Sequence, residues 1–284
     1  MKNYNSQERY FDKNYHNKID IKNNKYLGLR KNNIFKKNSK LNPLISVVTI
    51  VYNGKKLDKT IRSVLSQSYK KIEYIIINGG DSIKDKKIIE RYQNKIDFCI
   101  NEKDKGIYDA MNKGIKVSTG KYIGFLNCDD YYYKNSINIL IKYIRQFPNA
   151  DFIFGSVKKN KIHHSFNPKK LKWKFNIYPS HSVGFFIKSS AQKKIGLYNT
   201  NFKYSADYDL IYKMIVNHDF QGVCTKPNEV LGSFEPGGFS SKTPFHTQSI
   251  EEIKIRLHNK QNFFFVFLII IKKIIIFLYK KIND

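Results

Sequence analysis

The chain changes character at Leu44. Before it, residues 1–43 are polar and show no sustained apolar period; from it runs LISVVTIVYN (44–53), a near-continuous β-branched stretch between Pro43 and Gly54. Such a run predicts a strand buried on both faces, and so a place inside a parallel sheet. Leu57, Ile61, Val64 and Leu65 then recur at helical spacing, and IEYIII (72–77) reads as a second buried strand ending at Asn78-Gly79-Gly80. The alternation continues with a helix over 84–93, a strand over 96–101, a helix over 107–117, a strand over 121–127, a helix over 134–146 and a strand over 151–157. A Lys-rich loop holding Trp173 follows, then a strand over 182–188 and a helix over 206–217. Strands alternating with helices are the pattern of a doubly wound α/β sheet. Ligands in such sheets bind beyond the carboxyl ends of the strands, so the loops after Asn53, Ile77 and Leu126 are expected to share one crevice. Three segments result: a basic irregular extension over 1–43, an α/β domain over 44–240 and a helical segment over 241–284.

The last apolar stretch, FFFVFLIIIKKIIIFLY (263–279), has fifteen apolar residues of seventeen, interrupted by Lys272 and Lys273. Crossing a bilayer takes about 20 apolar residues, and a lysine at mid-helix costs roughly 2.5–3.5 kcal/mol on insertion scales. A helix lying in the membrane interface fits better than a span, because Asn262, Lys273 and Lys280 fall within about 20° of one another on a helical wheel and leave a wide apolar face. The alternative is a helix packed wholly against the domain.

Composition narrows the function classes. The 284 residues carry 51 Lys/Arg against 23 Asp/Glu, a formal charge of +28. Only six of the basic residues are arginine, however, and base-edge or bidentate phosphate recognition favours the guanidinium fork. The excess is lysine, set among abundant Asn and Ile, so a nucleic-acid partner is not expected. Cys99, Cys128 and Cys224 are odd in number and widely spaced, which points away from a disulfide scaffold or a structural zinc site. The N-terminus shows no apolar signal region, and a cytoplasmic location is the expectation.

Candidate chemistry concentrates in DKGIYDAMNKGIKVSTGKYIGFLNCDDYYY (104–133), where Asp129 and Asp130 follow a buried strand. Adjacent carboxylates repel unless solvated or neutralised, and a divalent cation carrying phosphate oxygens is the simplest neutraliser in an α/β crevice. A solvated turn is the competing reading.

In order and spacing, SVVTIVYN (46–53), QSYKKIEYIIINGG (67–80), DKGIYDAMNKG (104–114), TGKYIGFLNCDD (119–130) and ADYDL (206–210) resemble the family 2 glycosyltransferases, in particular the branch of bacterial exopolysaccharide and O-antigen transferases. The resemblance covers roughly residues 44–240. It implies a GT-A fold, a Rossmann-like, mostly parallel sheet flanked by helices, here followed by a C-terminal amphipathic or apolar helix. It also implies a nucleotide-diphosphate-sugar donor, Mg2+ or Mn2+ as cofactor, and inverting transfer to a glycan acceptor, lipid-linked or oligosaccharide, at the inner face of the cell membrane.

Carried over by motif, Tyr52 would stack on the nucleotide base; a core tyrosine is the alternative. Asn78 stands where the family usually has an aspartate that accepts from the base, and an amide oxygen accepts without charge assistance. Asp81 is a substitute for that contact. Asn127-Cys128-Asp129 occupies the family's DxD position, with Asp129 as metal ligand, Asp130 beside it, and Asn127 placed to bond the ribose. Lys105 and Gly106 open a helix, carrying Asn112 and Gly114, whose N-terminus suits a diphosphate. Asp207 matches the family's catalytic base, with Ala206 in place of the companion glutamate and Asp209 as the competing carboxylate. His181 lies where relatives carry a histidine near the donor, and PGGFS (236–240) has the glycines of a loop able to close. Two further readings stand beside the transferase: a nucleotidyltransferase, which would need a Gly-rich phosphate signature that YNGKK lacks, and a degenerate transferase-fold scaffold, suggested by Asn78, Asn127 and Ala206.

Overall fold

The computed structural model describes residues 25–164, 182–235 and 243–283. Two compact units divide the chain, the first holding the described residues up to His164 together with 182–197 and 220–235, the second holding 198–219 and 243–283.

In the first unit the buried runs become strands as expected, β2 (Ile45–Val51), β3 (Ile72–Asn78), β4 (Phe98–Asn101) and β5 (Tyr122–Asn127), and an unexpected short strand, β1 (Tyr26–Leu27), precedes them. Helices α1 (Leu57–Leu65), α2 (Ile83–Arg91), α3 (Ile107–Val117) and α4 (Ser136–Gln146) alternate with them. Strands β6 (Tyr131–Tyr132), β7 (Phe152–Phe154), β8 (Ser156–Lys158), β9 (Ile162–His163) and β10 (Phe185–Lys188), helix α5 (Ser189–Ile195), and strands β11 (Gly222–Cys224) and β12 (Val230–Ser233) complete it. Among the described residues the main sheet runs β1-β4-β3-β2-β5-β10-β7-β11. Strands β4, β3, β2 and β5 are mutually parallel, so Val51, Asn78, Asn101 and Asn127 end at one edge. Strand β10 enters antiparallel between β5 and β7.

A second sheet, β6-β12-β8-β9, is absent from the sequence reading. Its strands are two to four residues long and carry no legible period. The expected strand over 151–157 divides between the sheets at Gly155, where a Cβ would lie 2.1 Å from Leu231.

The core is aliphatic: Ile45, Val47, Ile76 and Leu126 from the sheet meet Leu57, Ile61 and Val64 from α1. Each such burial contributes roughly 1.5–3 kcal/mol. Helix α3 approaches the sheet at Gly114, where a Cβ would come within 2.4 Å of Val48 Cγ1. Part of the expected irregular extension is built into the fold. Tyr26 and Leu27 pair antiparallel with β4, and Arg30 is buried against Glu73.

The second unit holds α6 (Ala206–Tyr212), which continues as a π-helical turn over Lys213–Asn217, then α7 (Phe245–His258) and α8 (Phe263–Asn283). Helix α8 packs on α7 through Val266 and Ile269, both buried, while Lys273 pairs with Glu252 of α7 at 2.6 Å. Lys273 thus faces the neighbouring helix while Asn262 is exposed, and Phe263, Phe267, Ile271, Ile274, Ile275 and Leu278 are exposed too. No helix among the described residues is long and apolar enough to cross a membrane. The Trp173 loop, His181 and PGGFS lie outside the described residues.

Candidate active site

The loops after β2, β3 and β5 leave the carboxyl edge of the first unit's sheet together. Beyond β2 the Tyr52 ring is 69% exposed, so it is not a core tyrosine. Asn53 turns the chain with φ of 53°, and the Gly54 N–H donates to Asp85 Oδ2 at 2.9 Å. Gly54 admits no side chain, because a Cβ would stand 2.0 Å from Cys128 Sγ. The loops after β2 and β5 therefore touch. Asp85, fully buried on α2, was not singled out in the sequence; the S-x-x-D spacing of a helix cap, with the Asp85 N–H donating to Ser82 Oγ at 3.2 Å, was its only local signal.

Beyond β3, Asn78 is almost wholly buried. Its Nδ2 donates to Asn101 Oδ1 at 3.0 Å, and its Oδ1 accepts from the Gly80 N–H at 3.3 Å. An amide oxygen has two lone pairs, so one acceptor site remains. Gly79 admits Asp104, whose Oδ2 would lie 1.6 Å from any Cβ. Asp81 points to solvent, 3.7 Å from Lys86.

At the start of α3, Gly106 has φ of 120° and opens onto empty space. The Lys105 N–H donates to Asp109 Oδ2 at 3.0 Å and the Gly106 N–H to Asp104 Oδ1 at 2.9 Å. Carboxylates thus already cover these two amides, leaving the exposed Lys105 ammonium as the cation offered to an anion. Asn112 is buried further along α3.

The end of β5 carries the densest polar grouping. Asn127 Nδ2 donates to Ser182 Oγ at 3.1 Å, while its buried Oδ1 has no partner among the described residues. Asp129 adopts a left-handed φ of 81°. Its Oδ1 accepts the Lys56 N–H, and its own N–H donates to Thr60 Oγ1 at 3.1 Å. Such strain in a non-glycine residue persists where the surroundings over-determine it. Asp130 is buried and accepts the Glu235 N–H at 3.1 Å. Burial, with Asp129 and Glu235 nearby, pushes its carboxyl up to about 7. Glu235, unmarked in the sequence, pairs with Lys56 at 2.7 Å, which holds its carboxyl below the ordinary range.

These groups fit a hard divalent cation. Magnesium and manganese take oxygen ligands, often one or two carboxylates plus substrate phosphates. Asp129 and the desolvated Asp130 form such a partial set, beside the Asn127 oxygen left open to the donor. Among the described residues no three His, Cys, Asp or Glu side chains converge, so the remaining ligands would come from donor and water.

Asp207 belongs to the second unit, in the first turn of α6, with Oδ1 accepting the Tyr208 N–H at 2.9 Å. The competing Asp209 is buried and engaged on both oxygens, by Lys213 Nζ at 2.6 Å and Asn259 Nδ2 at 2.7 Å.

Comparisons with known proteins agree with this architecture. A family model described as glycosyl transferase family 2 matches residues 46–205. An uncharacterised glycosyltransferase of Rickettsia typhi is 34% identical over 194 residues, 63% of this chain and 61% of its own length. The chain thus spans less than two thirds of that relative. The Escherichia coli UDP-Glc:alpha-D-GlcNAc-diphosphoundecaprenol beta-1,3-glucosyltransferase WfaP is 35% identical over 126 residues, 40% of this chain and 50% of WfaP. Among solved structures, the Pyrobaculum calidifontis mannosyltransferase PcManGT in complex with GDP-Man and Mn2+ superposes with a TM-score of 0.60 at 12% identity, covering 79% of this chain and 66% of that one. That likeness establishes the GT-A fold.

Proposed function

Because the chain belongs to glycosyl transferase family 2, we propose that it moves a sugar, with inversion, from a nucleotide-diphosphate donor to a lipid-linked or oligosaccharide glycan acceptor. The pathway is assembly of a surface polysaccharide, at the cytoplasmic face of a membrane to which the exposed face of α8 holds the protein. The observation that carries this reading is the junction of the β2 and β5 loops, where exposed Tyr52 and the Asp129-Asp130 pair stand on one edge of one sheet.

In this reading Tyr52 stacks on the base and Asn78 accepts from it through its remaining lone pair. Asn127 bonds the ribose, Lys105 faces the diphosphate, and Asp129 with Asp130 holds Mg2+ or Mn2+. A bound divalent cation supplies charge neutralisation for the departing diphosphate. Asp207 takes the proton of the acceptor hydroxyl as that oxygen bonds to the anomeric carbon. The bond from the anomeric carbon to the phosphate oxygen breaks, and its electron pair leaves with the nucleoside diphosphate. Asp207 is preferred as the position the family motif assigns to the base, whereas Asp209 is buried with both oxygens bonded. The names of WfaP and PcManGT support nucleotide-sugar donors, and that of WfaP an acceptor built on a diphosphoundecaprenol carrier.

The test is nucleotide release from UDP-glucose, UDP-GlcNAc and GDP-mannose with Mn2+, with and without a GlcNAc-diphospho-polyprenol acceptor. Metal-dependent release that the acceptor accelerates supports the transferase. Tight nucleotide binding without release from any donor would replace it with the scaffold reading.

A further inference from the structure

Two adjacent glutamates on α7, which no motif picks out, hold the segment that carries Asp207 from both sides. Glu251 accepts the Lys203 N–H at 2.6 Å through Oε1 and the Tyr204 N–H at 2.8 Å through Oε2. Those amides lie three and four residues before Asp207. Glu252 Oε1 accepts the Tyr208 hydroxyl at 3.1 Å, on the residue immediately after Asp207. The same oxygen takes Arg256 Nε at 3.2 Å and Nη2 at 3.0 Å, and Oε2 takes Lys273 Nζ at 2.6 Å. Arg256 is fully buried, with its guanidinium 5.4 Å from the centre of the Tyr208 ring.

Burial alone would raise the Glu252 carboxyl, but Lys273 and Arg256 outweigh it and hold it low, so it is an anion. Burial raises the Tyr208 phenol, so it keeps its proton and donates. A charged acceptor meeting a neutral donor gives the stronger, more directional class of hydrogen bond. The short α6 helix has no side-chain cap of its own. Its entry is fixed instead by Glu251 and its first turn by Glu252.

We propose that Glu252, with Glu251, is the positioning residue of the transfer reaction, fixing where the Asp207 carboxylate stands without touching substrate. The proposal rests on Asp207 being the base. It adds that α7 governs the base's placement, and that Lys273 ties the same carboxylate to α8. Displacing a reacting group by about 1 Å can cost on the order of 10²-fold in rate while leaving ground-state binding intact.

The test uses the full chain and three variants. In Glu252→Gln, kcat for nucleotide release from UDP-glucose, UDP-GlcNAc or GDP-mannose with Mn2+ is expected to fall about tenfold or more, with donor KM within about twofold of wild type. In Glu251→Ala, amide hydrogen exchange at 203 and 204 is expected to rise at least about tenfold, while β2 to β5 stays protected. This arm needs no substrate. Asp207→Asn is the reference. Unchanged exchange in Glu251→Ala, or wild-type kcat in Glu252→Gln beside a crippled Asp207→Asn, overturns the clamp alone. A parallel fall in donor binding in Glu252→Gln also overturns it, since that marks general disruption. Wild-type turnover in Asp207→Asn overturns the base assignment and the clamp with it.

Discussion

Arg30 and Glu73, forty-three positions apart, form an ion pair buried beneath the main sheet. Arg30 Nη1 also reaches the Val117 carbonyl at 2.7 Å, and its guanidinium lies 5.5 Å from the Phe98 ring centre. Glu73 Oε2 accepts from Ser46 Oγ at 2.5 Å and from the Thr119 N–H at 2.8 Å. One residue of the basic N-terminal region thereby joins β2, β3 and the turn after α3. Removing one partner strands a buried charge, so Arg30→Met should destabilise the first unit by about 3–5 kcal/mol. Urea denaturation followed by intrinsic fluorescence reads this directly. A change below about 1 kcal/mol would mean that the pair is replaceable.

Asp129→Ala should cost roughly 1 kcal/mol, through the left-handed φ and the lost Lys56 bond, yet leave the fold in place, because the side chain sits in a loop at the sheet edge away from the core. Thermal stabilisation by UDP that depends on Mn2+ should vanish in this variant. Stabilisation equal to wild type would move the cation away from the β5 loop.

The Asp130 carboxyl has a folded-state pKa raised to about 7 from an ordinary 3.8. Its protonated form therefore favours the folded chain: the contribution is complete below about pH 4 and is lost as pH rises through 7. At 1.36 kcal/mol per unit the loss amounts to about 4 kcal/mol at most. Unfolding free energy measured in chelator should decline over this window, Asp130→Asn should flatten the decline, and Mn2+ should oppose it. A metal-free curve that is flat from pH 4 to 8 would contradict this.

The outward face of α8 should seat on anionic vesicles. Phe263, Phe267, Ile271 and Ile274 are exposed, and burying each in the interface would contribute roughly 1.5–3 kcal/mol. Phe267→Glu with Ile274→Glu should therefore weaken co-sedimentation with phosphatidylglycerol vesicles by at least about tenfold. These two positions are better probes than truncation, since Val266, Ile269 and Lys273 pack inside the second unit. Full-length protein that stays in the supernatant would assign the face to another partner.

The main sheet was legible because strands such as Ile45–Val51 and Ile72–Asn78 are buried on both faces and announce themselves as unbroken β-branched runs. That the β2, β3 and β5 loops leave one edge followed from topology alone. Hidden from the sequence was what depends on long-range pairing. The second sheet is made of strands too short to show a period, and Arg30 looked like one more lysine-region cation. Glu235, Glu251 and Glu252 gain their roles only through partners such as Asp130, Lys203 and Lys273. The direction in which Lys273 faces is set by Glu252, on another helix, which a helical wheel cannot show. Of the partners of Asp209, Lys213 is four residues on, whereas Asn259, fifty residues away, is one that no local spacing relates to it.

The central claim is a divalent-cation-assisted nucleotide-sugar transferase whose donor lies across the β2 and β5 loops. Its most direct test is isothermal titration of the full-length protein with UDP and with GDP, each with Mn2+ and with chelator, on wild type, Tyr52→Ala and Asp129→Ala. The account predicts metal-dependent binding of at least one nucleotide, weakened about tenfold or more in each variant because stacking and the cation are separate contributions. Binding of neither nucleotide, or binding that both variants retain in full, would contradict it.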